Sequence, residues 1–193
     1  YRDPQLLLRG IDHLIGLGAA HMLGAHGPPI SGREEIRART MRYRDSIQFL
    51  WDQTVRGMNR GLTADQMAHS VVLPAVYDQD YITSEFYGVA EHHVRQIAAG
   101  VRGWYDGDTA KLFPLEPSER AGRLVKGLGG AEAVRAQVTE ARAANDLRWA
   151  LELASWLSAR TGAEPADRLL LANVLRDIAS RTPAANIRNW CLT

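Results

Sequence analysis

Residues 31–60 read SGREEIRARTMRYRDSIQFLWDQTVRGMNR, and the fold turns on how they are read. Ile36, Thr40, Tyr43, Ile47, Leu50, Trp51, Thr54 and Met58 recur at three- and four-residue spacing, which predicts one long amphipathic helix running to about Arg60. Ser31 with Glu34 three residues on has the form of a capping box, so the helix is expected to begin there. Gly61 supplies the stop. Thr63 with Gln66 repeats the capping signature and predicts a short helix toward Ser70.

On the N-terminal side, Leu7, Leu8, Ile11, Leu14 and Ile15 predict a helix from Pro4 to Leu17. Ala19 to Leu23 can form a brief strand before GAHGPPISG (24–32), where glycine and proline forbid regular helix. On the C-terminal side, a turn at Leu73-Pro74 precedes a predicted helix from Tyr81 to Val101, patterned by Ile82, Phe86, Val89, Ala90, His93, Ile97 and Val101. Trp104 to Pro117 reads as an irregular connection. Helices follow at about Ser118 to Lys126, Ala131 to Ala144, Asp146 to Ala159 and Pro165 to Ser180, with a last turn after Pro183; Gly129-Gly130, Asn145 and Gly162 punctuate them. After residue 31 no alternating strand pattern occurs. The expected class is all-α, built from antiparallel helical hairpins of a tetratricopeptide-like kind without a strict repeat.

Composition narrows the function. The 193 residues are 46% hydrophobic and carry 23 basic against 22 acidic side chains. Neither sign forms a block, so no nucleic-acid or membrane-surface footprint is present. No apolar run is long enough to span a bilayer. One cysteine, Cys191, excludes an internal disulfide framework and any cysteine-based zinc finger. A start at Tyr1 and a stop at Cys191-Leu192-Thr193 are what a piece of a longer protein would show.

The adjacent His92 and His93 suggest metal, yet neighbours on a helix point about 100° apart and seldom chelate one ion. His93 falls on the apolar stripe and is expected in the core. His92 lies off it, beside Glu85, Gly88 and Gln96, and is the better candidate for function. His26 sits in a tight glycine-proline loop, a common place for ligands, although a histidine in such a loop is more often merely exposed. Nucleophile elbows, phosphate loops and dinucleotide fingerprints are missing.

GAHGPPISG, YRDSIQFLWDQTVRGMNRGLT, Leu73-Pro74, EFYGVAEHHVRQI, GWYDGDTAKLFPLEP, GLGG, DLRWALELASWL and IRNWCLT follow one another along the chain. In that order they resemble the C-terminal half of the metal-dependent alkyl sulfatases, the SDS-hydrolase branch of the metallo-β-lactamase superfamily. The resemblance implies that residues 1–31 are the tail of a metallo-β-lactamase α/β domain and that residues 32–193 are a helical alkyl sulfatase dimerisation domain. It implies a homodimer and a complete parent that holds two zinc ions and hydrolyses alkyl sulfate-like small molecules with a metal-activated water.

By the same resemblance His26 is a zinc ligand and His92 reaches the sulfate pocket. Trp104 stands where some members have tyrosine, and Tyr105 beside it can substitute. Asp108-Thr109 and Phe113 depart from the usual Asn-Pro and His, which bears on the natural substrate. The HxHxDH cluster and the bridging acidic ligand of the metallo-β-lactamase core do not occur in these residues, so the chain by itself is expected to be inactive. The competing expectation, from a different class, is a free-standing tetratricopeptide-like module that binds a protein partner.

Overall fold

The computed structural model describes residues 3–193, which fall into two compact units that divide between residues 109 and 110. Among the described residues nine α-helices and one two-stranded sheet are formed, an all-α architecture. No helix among them is long and apolar enough to cross a membrane.

The first unit contains α1 (Pro4–Gly16), β1 (His21–Met22), β2 (Ile30–Ser31), α2 (Arg33–Asn59), α3 (Ala64–Ser70) and α4 (Ala90–Arg102). The sequence anticipates a strand at β1 but not its partner: β1 and β2 pair antiparallel, with His21 opposite Ser31. That pairing overturns the expected start of α2. Ser31 Oγ lies 3.0 Å from His21 Nδ1 across the hairpin, so it caps nothing, and Gly32, at φ 101°, occupies the N-cap position instead. The capping box of α3 forms as expected, with Gln66 N–H donating to Thr63 Oγ1 at 3.1 Å and Thr63 N–H to Gln66 Oε1 at 2.9 Å.

Leu50 of α2 packs with Ala64, Met67 and Ala68 of α3 and with Ala90, Val94, Ile97 and Ala98 of α4, forming the core of this unit. Thr54 is fully buried and satisfies its hydroxyl by donating to the Leu50 carbonyl at 2.6 Å. Gly57 is what lets α2 and α3 close together: a Cβ there would lie 2.6 Å from Met67 Sδ, and Met67 has no exposed surface into which to retreat. Alanine should gain about 1 kcal/mol of helix propensity, and overpacking costs about 1–3 kcal/mol. Gly57→Ala is therefore expected to destabilise the protein by about 1 kcal/mol net, read from the urea midpoint.

The second unit is a run of helices: α5 (Pro117–Gly127), α6 (Ala131–Ala143), α7 (Leu147–Ala159), α8 (Pro165–Arg181) and α9 (Ala185–Leu192). The helices α5 to α8 appear within one or two residues of their sequence expectations, and α9 is an eight-residue helix where only a last turn was expected. The turns explain why, since Gly129, Gly130 and Gly162 all take positive φ and Asn145, at φ 59°, is the non-glycine residue in the left-handed region. Ala150, Leu153, Ala154 and Leu157 of α7 form the centre, packed by Val134 and Val138 of α6 and Val174 of α8. Asp167 is also fully buried here and is held by Arg135 and Arg160.

Candidate functional site

Residues 23–29 connect β1 to β2 and carry His26 on an exposed loop. Its imidazole enters no hydrogen bond or ion pair among the described residues. The loop is held by Tyr81, whose hydroxyl donates to the Pro28 carbonyl at 3.2 Å. The Tyr81 ring packs so closely on Gly27 that a Cβ there would lie 2.8 Å from Cε2, and Gly27 takes φ 89°. Arg39 of α2 stacks its guanidinium 4.9 Å from the centroid of the same ring.

Arg39 also grips the neighbouring residue, donating from Nε and Nη2 to the two Asp80 carboxylate oxygens at 2.6 Å each. The Arg39 hydrogen bonds hold the Asp80 carboxyl below its ordinary range, against the opposing effect of burial and with help from the Ile82 N–H. This knot explains a failed expectation. A helix was expected from Tyr81, but Thr83 and Ser84 donate their hydroxyls to the Asp80 carbonyl at 3.2 and 2.8 Å, and Ile82 N–H goes to the Asp80 side chain. Such local side-chain bonds compete with helix formation, and α4 begins only at Ala90, whose N–H donates to the Glu85 carboxylate.

The late start changes which residues of α4 face inward. Ala90, Val94, Ile97 and Ala98 are buried, whereas His93 is exposed, so the expected core histidine is corrected to a surface one. His93 nevertheless lies against enough protein mass for desolvation to lower its pKa; Glu85 opposes that shift and His92 adds to it. Its ring is reached by solvent at the edge of a dense region. His92 is exposed as well.

The turn after α4 places Trp104 and Tyr105 side by side, ring centroids 5.5 Å apart and planes tilted by 47°. Trp104 is 81% exposed, an unusual cost for an indole, and Tyr105 is half-buried. Arg102 anchors this turn. It donates to the Leu62 and Met58 carbonyls, at 2.8 and 3.1 Å, near the end of α2, while the Asp106 carbonyl accepts from Ala64 N–H at 3.0 Å. Charge-assisted bonds of this kind contribute about 1.5–3 kcal/mol. Arg102→Ala is expected to destabilise the chain by about 2 kcal/mol, and a urea midpoint equal to that of the unaltered chain would refute the anchor.

The structure thus puts His26, His92, Trp104 and Tyr105 in one unit on exposed segments, and no hydrogen bond joins the four among the described residues. No group of three or more histidine, cysteine, aspartate or glutamate residues that could hold a metal ion occurs among the described residues. Two grooves, of about 560 and 270 Å³, lie along the C-terminal half of α2 and against α3, lined by other residues. Sequence reasoning missed Arg39, Asp80, Tyr81 and Arg102. Their partners lie 40 or more residues away, and nothing local marks them.

What these helices and loops make, among the described residues, is an all-α fold. The chain belongs to the alkyl sulfatase dimerisation family, whose model matches residues 63–193. It is 35% identical, over its whole length, to a linear primary-alkylsulfatase of Pseudomonas sp. and covers 37% of that protein. It is 29% identical over 168 residues to the alkyl/aryl-sulfatase BDS1 of Saccharomyces cerevisiae, covering 87% of this chain and 26% of that one. The solved structure of the stereoselective inverting sec-alkylsulfatase Pisa1 from Pseudomonas sp. superposes with a TM-score of 0.93 at 30% identity, over 100% of this chain and 31% of that one. The chain therefore spans about a third of the length of these relatives.

Proposed function

We propose that the chain is the dimerising, pocket-lining portion of a zinc-dependent alkyl sulfatase-like hydrolase. Residues 1–31 form the tail of a metallo-β-lactamase domain, and residues 32–193 form the helical dimerisation domain. The observation that carries this reading is the family match together with correspondence to alkylsulfatases along the whole chain. Exposed apolar side chains support self-association, among them Leu169, Trp190 and Leu192 in the second unit.

His26 fits one position of a zinc centre. It is an unbonded, solvent-reached imidazole on a braced loop, a donor of the kind zinc takes. One donor does not make a site, so the remaining ligands of a two-zinc centre belong to the HxHxDH domain of the longer protein. Bound there, zinc would supply an activated water for hydrolysis of a sulfate ester. His26 then holds its share of the centre, His92 meets the sulfate group, and Trp104 with Tyr105 forms an aromatic wall against the alkyl portion of the substrate.

Sedimentation velocity and light scattering across micromolar concentrations test the assembly. A dimer is expected, and a strictly monomeric chain at all concentrations would overturn it. Sulfatase assays test the division of labour. The 193-residue chain should be inactive, and the same chain joined to its HxHxDH domain should cleave a long-chain alkyl sulfate. If the joined protein binds zinc yet cleaves no alkyl sulfate, the hydrolase reading falls.

A further inference from the structure

Residues 23–29 lie outside regular structure, between strands of only two residues each. Pro28 and Pro29 have no N–H to donate. Among the described residues, the single hydrogen bond made by this seven-residue loop is the one from Tyr81 Oη to the Pro28 carbonyl. A loop so poorly tied should be mobile, and a mobile loop is a poor carrier for a ligand, because immobilising it would draw on the binding free energy.

Tyr81 is itself fixed from two sides. The Arg39 guanidinium covers its ring, and the buried Asp80 next to it takes both a two-pronged bond from Arg39 and the N–H of Ile82 at 3.1 Å. The order is transmitted from the rigid 27-residue α2, through Arg39 and Asp80, to the Tyr81 ring and onto Gly27, next to His26. Gly27 completes the fit, since a side chain there would displace the ring.

We propose that Tyr81, locked by Arg39 and Asp80, is the positioning residue of the loop that carries His26, so that the histidine is preorganised before any ligand arrives. The brace is a property of this chain; its consequence for metal rests on the reading of His26 as a zinc ligand. A backbone held at ligand geometry binds faster and releases more slowly than one that must be ordered on binding.

Nitrogen-15 relaxation on the 193-residue chain tests the brace without metal. In the unaltered chain Ala25, His26 and Gly27 should have order parameters near the rigid value of about 0.85, and Tyr81→Ala should lower them below about 0.6. Tyr81→Phe, which keeps the ring on Gly27 and under Arg39, should give intermediate values and decides the matter if Tyr81→Ala does not fold. Leu50→Ala weakens the same unit elsewhere and should leave the loop unchanged. Loop order parameters that do not move in the tyrosine variants, or that fall equally in Leu50→Ala, overturn the proposal.

In the longer protein with its HxHxDH domain, Tyr81→Ala should speed zinc release to a chelator by about tenfold, as loss of a group supporting a ligand does. His26→Ala separates the two ideas. If it leaves both zincs in place, the ligand assignment fails while the order parameters still decide the brace. If it removes one zinc and Tyr81→Ala leaves release unchanged, the brace has no role in metal retention and the proposal falls.

Discussion

Replacing Asp167 by alanine should destabilise the chain by about 3 kcal/mol, because it removes the buried carboxylate that two largely covered guanidinium groups, Arg135 and Arg160, share in the second unit. Asp167 has no exposed surface. One oxygen accepts from Arg135 Nε at 2.6 Å, and the other accepts from Arg160 Nη2 at 2.8 Å and from Glu164 N–H at 2.9 Å. Arg135 Nη2 sits 3.0 Å from Glu164 Oε1 as an ion pair but lacks hydrogen-bond geometry, and Arg160 Nε has no partner among the described residues. These two arginines are already at their limit of satisfaction. Taking away Asp167 leaves Arg160 without its carboxylate, leaves Arg135 to the more exposed Glu132 and Glu164, and uncaps α8, so the loss should be larger than for a surface charge. Urea denaturation followed by near-ultraviolet dichroism from the edge-to-face Trp149 and Trp156 pair would report it in this unit. A change below about 1 kcal/mol would show that the triad is dispensable.

The same residue sets an acid limit. Burial alone would push the Asp167 carboxyl up, but the Arg135 hydrogen bond, the Glu164 N–H and the charges of Arg135 and Arg160 hold it below its usual range. A carboxyl depressed in the folded state stabilises the fold above the unfolded pKa of about 3.9, and that stabilisation drains away as the pH falls through the lower folded value. Asp80 is depressed likewise and adds to the loss in the first unit. Stability should therefore drop steeply below about pH 4, and Asp167→Asn should make that slope shallower.

His26→Ala in the longer protein should remove one zinc per chain and lower sulfatase turnover by at least about 100-fold, with the urea midpoint unchanged. The reasoning rests on exposure. The side chain touches no hydrogen-bond partner among the described residues, so its loss should alter the fold by no more than about 0.5 kcal/mol. Metal content by atomic emission after dialysis separates this from His92→Ala, which should keep both zincs and raise KM. Retention of two zincs by His26→Ala would refute its role.

The sequence made the architecture legible where the signals were local. Thr63 and Gln66 cap α3 three residues apart, and the left-handed Asn145 and paired glycines end helices by backbone geometry alone. The hairpin partner β2 escaped notice because two residues carry no periodicity, and its pairing took Ser31 away from the expected cap. Helical periodicity carried back through residues 81–89 puts His93 inside, but side-chain bonds to Asp80 win over the helix there. For the candidate site, the sequence drew attention to His26 and His92 but could not show what holds them. Arg39 meets Asp80 across 41 residues, and Tyr81 reaches Pro28 across 53. Those partners become visible only when the chain is folded.

The tight seat of Met67 against Gly57 has a further consequence. Its sulfur has no contact with solvent and lies where a side chain on residue 57 would be, close against the α2 backbone. Peroxide can therefore convert this thioether to the sulfoxide only while α3 lifts from α2, and the new oxygen prevents α3 from settling back. The oxidation rate of Met67, followed by peptide mass, is a stopwatch for that opening, and accumulated sulfoxide a record of how long a preparation has spent open.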